Sequence, residues 1–556
     1  MAEPCLRTHR LGAALFAALL LAGCTVGPEH VRPEVPLPER FDQALEAGQD
    51  AVPSRLWSSL ADPRLDLLLA RALEANTSLA QATARLGEAR ALAGLTVYSL
   101  FPTVTAGASG QRNRPSGRDP FIPPDAARQT DTYRAGFDAS WEIDLFGSLR
   151  NPARAIRRRA EAEEARFAAV RLSVVAEVAQ SYFALLGAGE MLALRQRQLH
   201  NQEASLRLVE RLHASGRVSR LELARAESAL RAVAALLPQA ELERTRHEQR
   251  LAVLTAWPVA TVREKLGEPV ALPELPVLET VGRPEEWLLR RPDLREAERR
   301  LAAARADVGQ ETAQYFPILT LLGDFGWTAT ALGRLGNADA ERWSFGPTLS
   351  WRFLDFGRVR QNVAAARARA DGAEAAYREA VLRALEDVET ALARLRSANR
   401  SGVELAAARE AATEAARIAR LRFEHGATDY LGVLDAEGNL LEVEASALQS
   451  RIDQATALVA VYKALAGDFA AAAPPPEAAP EAARSRKGPE GGDPAGSGGR
   501  DADPVAPELL GPVEAGVGPV DPAAQVLAPA EVHRGDADAD ADPVQPAARS
   551  VRKIQS

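Results

Sequence analysis

The chain repeats itself, and the repeat restricts the fold to one structural unit built twice. Ser140-Trp141-Glu142-Ile143-Asp144-Leu145-Phe146-Gly147-Ser148-Leu149-Arg150 returns as Ser350-Trp351-Arg352-Phe353-Leu354-Asp355-Phe356-Gly357-Arg358-Val359-Arg360, at an offset of 210 residues. The same offset carries Gly216 to Gly426, Leu221 to Leu431, Ala226-Glu227 to Ala436-Glu437 and Leu230 to Leu440. Upstream, Leu79, Ala82, Arg85, Leu86 and Phe101-Pro102 match Leu294, Ala297, Arg300, Leu301 and Phe316-Pro317 at an offset of 215. The five-residue difference falls between Pro102 and Trp141, where a loop absorbs it.

Each copy reads as helix, two strands, long helix, break, helix. The first repeat spans 24–256, with strands at 103–111 and 132–144, a long helix at 151–215 and a return helix at 220–256. The second spans 286–469, with strands at 318–328 and 343–354, a long helix at 361–425 and a return helix at 430–467; a Pro-rich linker, 257–285, joins the two. Tyr133, Ala135, Phe137, Ala139, Trp141 and Ile143 alternate with polar or small residues, as do Trp343, Phe345, Pro347, Leu349, Trp351 and Phe353. Period two over about ten residues with aromatics toward the ends fits a membrane strand with one face to lipid. The same pattern fits a soluble antiparallel sheet with an aromatic core. The long helices run some 65 residues each, about 95–100 Å at 1.5 Å per residue. Both stop at a glycine suited to a helix C-terminus, and their alanine content suits close antiparallel packing. Pro238 predicts a kink or boundary in the first return helix.

The two ends are unlike the rest. Arg7 and Arg10 precede an apolar run, Leu11 to Ala22, too short to span a bilayer. It closes on Leu21-Ala22-Gly23-Cys24, which reads as a lipoprotein signal, 1–23, with the lipid on Cys24; a plain secretory signal with a chance cysteine is the other reading. From 470 to 556 the chain is rich in Pro, Ala, Gly and Asp, and predicts a disordered tail that cannot bury a core. A formal charge of −8 argues against a nucleic-acid partner. The seven histidines have no metal spacing, and Met1 and Met191 are the only methionines, so no metal site is expected. Without a catalytic constellation or a phosphate-binding loop, the chain reads as a non-enzyme that draws energy from a partner, with no cofactor beyond covalent lipid.

Four membrane strands in one chain leave two open sheet edges, and each unsatisfied backbone group in lipid costs several kcal/mol. The edges must pair with other copies. Two chains give eight strands, filled by side chains; three give twelve, which leave a passage. The residues alone do not choose between them.

Several short motifs point the same way: Cys24-Thr25-Val26-Gly27-Pro28, Arg290-Arg291-Pro292-Asp293-Leu294, Tyr315-Phe316-Pro317, the paired Phe-Gly-x-[Leu/Val]-Arg, Gly426 through Leu434-Asp435-Ala436, and Val461-Tyr462-Lys463-Ala464-Leu465. Over about 20–470 the chain resembles the TolC-like outer membrane factors, with the lipoprotein details of their NodT-type branch. The resemblance implies a mainly α protein with membrane β: long helical hairpins forming an α-barrel tunnel in the periplasm, and four strands per chain in a twelve-stranded trimeric barrel. It implies a homotrimer in the outer membrane of a Gram-negative bacterium, an exit duct for small molecules such as drugs, served by a periplasmic adaptor and an inner-membrane pump. Thr25 in place of an aspartate after Cys24 fits outer-membrane sorting. By the same resemblance the adaptor docks at the helix-turn tips, Gly216, Val218, Ser219, Arg220 and Leu221 in one copy and Gly426, Thr428, Asp429 and Tyr430 in the other. These residues also suit ordinary helix caps. The gate falls at Leu431 and Asp435, one turn apart on a helix face. Symmetry would make them a leucine ring and a cation-attracting aspartate ring, unless Leu431 is packing and Asp435 merely solvated. The first copy has Arg225 where the second has Asp435. Two other functions fit parts of the pattern: an exit duct for type I protein secretion, and a lipid-anchored coiled-coil scaffold, which predicts no lipid-facing strands.

Overall fold

The computed structural model describes residues 25–43, 62–114, 116, 129–268, 270–275, 278, 283–288 and 290–466. The signal segment, Cys24 and the tail from 470 lie outside the described residues. The chain divides into two units, 1–476 and 477–556, and every described residue belongs to the first.

The first copy comprises α1 (Pro63–Ala75), α2 (Thr77–Tyr98), β1 (Thr103–Asn113), β2 (Thr130–Ile143), α3 (Arg150–Ala214), α4 (Arg220–Ala234) and α5 (Leu237–Thr255). After α6 (Val259–Leu266) and α7 (Pro284–Leu288), the second copy comprises α8 (Pro292–Ala313), β3 (Ile318–Ala329), β4 (Glu341–Ser350), α9 (Arg358–Glu424) and α10 (Tyr430–Ala464). The repeat is visible in the backbone itself. Residues with left-handed φ recur at the 210-residue offset: Gly147 and Gly357, Gly216 and Gly426, Ala256 and Ala466. So do side-chain ties, since the Trp141 indole donates to the Leu100 carbonyl and Trp351 to that of Tyr315, each at 3.0 Å.

The helices α3 and α9 have 65 and 67 residues, each about 100 Å long if straight. Alanines supply much of their buried surface, Ala153, Ala155, Ala160 and Ala165 in α3 and Ala366, Ala384, Ala391 and Ala412 in α9, so neighbouring helices approach closely. Where α3 becomes strongly apolar, Val174 to Leu186, it enters the largest core with Leu65, Leu68, Leu251 and Val459. The return helix expected over 220–256 is divided into α4 and α5 at the boundary that Pro238 predicts. Pro238 lacks an N–H and falls in the first turn of α5, the one place in a helix where it is tolerated. The linker between the copies carries α6 and sends Leu272 and Leu278 into two cores against the helical shaft.

Arg291 explains its motif. It is buried, and its guanidinium donates to Asp293 at 2.6 Å, to Asp387 of α9 at 2.9 Å and to the Ala464 carbonyl at the end of α10 at 2.9 Å. One side chain thus ties three helices and satisfies a C-terminal carbonyl.

The segment 25–43 has no regular structure, yet it is fastened along its length. Val26 N–H donates to the Phe146 carbonyl at 3.2 Å, and Asn151 Nδ2 donates to the Val26 carbonyl at 2.8 Å. Gly27, at φ 131°, lies so close to Gly309 that a Cβ there would stand 2.5 Å from its Cα. Further along, His30 meets Glu298 at 2.6 Å, Arg32 donates to the Tyr377 hydroxyl at 2.9 Å, and Phe41 is buried with Leu392 and Leu458.

Candidate functional site: one sheet and two helical tips

The four strands form one antiparallel sheet in the order β1-β2-β3-β4. The register brings the alternation of all four strands into line. Val104, Ala106 and Ala108 of β1 stand opposite Ala139, Phe137 and Ala135, which in turn stand opposite Gly323, Phe325 and Trp327 of β3. Gly323 and Phe325 face Phe345 and Trp343 of β4. That face is apolar and its large side chains, Phe137, Phe325, Trp343 and Phe345, are exposed. The other face carries Thr105, Asp138, Asp324 and Ser344. A soluble sheet buries its aromatic face; this one presents it outward, as a sheet against lipid does. Among the described residues the outer edges of β1 and β4 have no strand beside them.

The hairpins α3–α4 and α9–α10 end in two tips. At the first, Gly216 takes φ 71° and the Arg217 N–H reaches back to the Leu212 carbonyl at 2.9 Å. Ser219 then starts α4 with a capping box: its Oγ accepts from Leu221 N–H at 3.2 Å, and its N–H donates to Glu222 at 2.7 Å. The Ser219 hydroxyl bonded to Glu222 holds that carboxylate below its ordinary pKa. At the second tip Gly426 takes φ 72°, Ala427 N–H reaches the Arg422 carbonyl at 2.8 Å, and Asp429 caps α10 by accepting from Gly432 N–H at 3.4 Å.

Gly216, Ser219, Arg220, Leu221, Gly426 and Asp429 are exposed, and Val218 and Thr428 are half-buried. Tyr430 stands apart from the other expected docking residues. Its ring is 1% exposed and packs at 5.2 Å against Phe423, in a cluster with Val209, Leu223 and Val433 that binds the two tips together. Leu431 and Asp435 lie side by side on the exposed face of α10, opposite this cluster.

Behind the tips lies a polar cluster that sequence reasoning missed. Glu437, 7% exposed on α10, accepts from Arg420 of α9, which it meets at 2.5 Å, from Gln202 Nε2 of α3 at 3.0 Å and from Ser205 Oγ of α3 at 3.2 Å. Arg420 also donates to Ser205 at 3.1 Å. The second hairpin is therefore fastened to the long helix of the first copy by an ion pair with further hydrogen bonds. The signal was present: Glu437 follows Tyr430 and Val433 at helical spacing, a lone carboxylate on the apolar stripe. Burial, and then the Glu437 charge, push the Tyr430 hydroxyl up to about 12.

The comparisons with known proteins agree with this architecture. The family model of the outer membrane efflux protein matches residues 68–256 and 284–467, one stretch in each copy. Outer membrane protein OprJ of Pseudomonas aeruginosa is 31% identical over 468 residues, covering 82% of this chain and 95% of that protein. Nodulation protein T of Rhizobium leguminosarum bv. viciae is 28% identical over 472 residues, covering 84% and 95%. The solved structure of the outer-membrane channel OprN superposes with a TM-score of 0.76 at 35% identity, covering 80% of this chain and 100% of that one. With its twofold unit, its lipid-facing sheet and its long helical hairpins, the chain belongs to the outer membrane efflux protein family.

Proposed function

We propose that three copies of the chain close into a passive duct through which small molecules such as drugs leave the cell, delivered by an inner-membrane pump and a periplasmic adaptor. One observation carries this reading: among the described residues a single chain offers four strands with an apolar and a polar face and two edges that have no strand beside them. Backbone groups left unpaired in lipid cost several kcal/mol each, so the sheet is complete only as a ring. Twelve strands leave a passage where eight do not. A lipid-anchored scaffold has no use for an outward aromatic sheet at the end of its helices. The purified chain is expected to need detergent and to run as a heat-modifiable trimer; a water-soluble monomer sinks the reading.

Two finer assignments go with it. Covalent lipid on Cys24 would enter the membrane at the base of the sheet, because Val26 is tied to Phe146 in the loop after β2. The exposed pair Leu431 and Asp435 would form the gate, as two rings at the tip of the closed duct. The double variant Leu431→Ala with Asp435→Ala is expected to raise conductance in planar bilayers and uptake of bulky antibiotics. No change in either measurement overturns the gate. The exposed tip residues around Ser219 and Asp429 would receive the adaptor.

A further inference from the structure

Along the shaft the chain carries a groove that none of its cores fills. On α10, Leu448 and Val459 enter the core that holds the linker's Leu272, while Leu458 and Val461 enter the one that holds Leu278 and Phe41 of the segment 25–43. Gln449, Asp453, Thr456 and Ala460, spaced i, i+4, i+7 and i+11, make the stripe of α10 turned away from both. Residues of α9 and α3 meet this stripe, and together they bound a groove of about 770 Å³. That is the size of a site for a drug-sized molecule, roughly 300–1,000 Å³. The linker and the segment 25–43 pack on the opposite side of the helices, so the groove faces the axis of the ring proposed above.

The groove is polar but carries no net charge. Its charged side chains, Arg394 of α9 and Asp453, are of opposite sign. Among the described residues Gln180, Ser181, Arg394, Ser397, Ser401 and Ser446, all on its walls, have no hydrogen-bond or ion-pair partner. Ser181 matters most, because it is 8% exposed and reaches solvent only through the groove. The ring of His247, on the α5 rim, makes no hydrogen bond among the described residues either. Burial, against the pull of Glu243, lowers its pKa, so at pH 7 one ring nitrogen is left to accept. Ala184, Ala457 and Ala460 give a low floor between these groups. Donors and acceptors thus stand side by side, a pattern that a ligand rich in hydroxyls can match, each hydroxyl donating once and accepting twice. An apolar ligand would find too little apolar lining, and an ion no net charge to hold it.

We propose that this groove is a transit site for neutral polyhydroxylated molecules, of the class of sugars and glycosides, on the inner wall of the duct. This names a cargo class for the reading given above. The site's place on the path rests on the ring, while its lining residues all come from one chain. Hydrogen bonds without a charge to support them hold weakly, as a passage requires, since a bound molecule must also leave.

The test is saturation-transfer NMR on maltotriose with the full-length protein in lauryldimethylamine oxide, a detergent without sugar. Maltotriose is expected to bind with a Kd on the order of 1 mM, the yield of a few net hydrogen bonds. The variant Gln180→Leu with Ser181→Ala should weaken binding about tenfold, and Ser401→Trp, which fills the groove from an exposed position, should abolish it. No transfer to maltotriose in the wild-type trimer overturns the site and leaves the ring reading standing. Unchanged binding in Ser401→Trp overturns it as well, and that variant decides alone if the double variant does not assemble. Tighter binding of trigalacturonate overturns the neutral class. Equal binding of a polyethylene glycol of the same mass overturns recognition through hydroxyls. A protein that stays monomeric overturns the ring reading, and maltotriose binding is then read on the single chain, where its absence overturns the site too.

Discussion

At both tips the long helix ends on a glycine, at φ 71° and 72°, and the return helix starts on a capping side chain, Ser219 or Asp429. The chemistry one turn behind is different. In the second hairpin Arg420 and Glu437 pair, and Gln202 and Ser205 of the first copy's long helix complete the cluster. At the equivalent positions the first hairpin has Glu210 and Glu227, both exposed, and the long helix that would face them has Ala412 and Ala415. One backbone plan thus carries a lock on one side and two like charges on the other. The contrast teaches that one backbone plan fastens the second hairpin to the first copy's long helix at this height, while the first hairpin carries no complementary charge at the equivalent positions.

The largest expected effect comes from removing the lock. Glu437→Ala leaves Arg420 without its partner and strands Gln202 and Ser205; the cost is roughly 3 kcal/mol, the low end for breaking a buried pair, because Arg420 keeps 40% of its side-chain surface in water. Hydrogen exchange over 430–440 should speed up and single-channel conductance should rise. Unchanged exchange there would mean the cluster locks nothing.

Next come the glycines, where the tips should behave alike. No neighbouring atom crowds a Cβ at Gly216, and at Gly426 only Arg217 lies within 4 Å. Gly216→Ala and Gly426→Ala should therefore each cost about 1–2 kcal/mol through the backbone alone. Markedly unequal losses in thermal unfolding would break the equivalence of the two turns. The caps should differ more: Ser219→Ala is expected to cost about 1 kcal/mol, and Asp429→Ala less, its cap bond being 3.4 Å long. The same unfolding measurement ranks them.

Smaller still is the gain from giving the first tip the charge of the second. Glu210→Arg opposite Glu227 should add about 0.5 kcal/mol at this exposed site. A double-mutant cycle with Glu227→Ala reads it; zero coupling would show that charge alone does not distinguish the hairpins. At neutral pH the Tyr430 hydroxyl contributes no pH dependence. Its folded pKa is raised from 10 to about 12. The stabilisation it gives is therefore present below pH 10 and lost as pH rises through 12. Tyr430→Phe should remove that alkaline loss from a pH titration of unfolding.

Much of the fold was legible in the chain because its signals are local and doubled. Period two in Tyr133–Ile143 and Trp343–Leu349 (the strand ends at Ser350, short of the 354 expected), uninterrupted helical pattern before Gly216 and Gly426, and Pro238 inside a return helix each describe a few adjacent residues. What stayed hidden depends on distant partners. Glu437 showed only as a carboxylate on an apolar stripe, and its partners Gln202 and Ser205 lie more than 230 residues away. Tyr430 looked like an exposed tip aromatic, yet its position one residue after the cap turns it inward onto Phe423. The strap of residues 25–43 has no periodicity to announce it, and its path is set by single bonds to Phe146, Glu298 and Tyr377.

The sequence by itself determined that one unit is built twice, that its strands have two unlike faces, and that its helices run about 100 Å. Those properties follow from the order of residues along a strand or helix, where spacing and direction are known in advance. Only the tertiary structure decided the register that aligns four apolar faces, which edges stay open, and which hairpin carries the lock. These depend on contacts between segments far apart in the chain, and a pattern read along the chain holds no information about which of two chemically similar surfaces will meet.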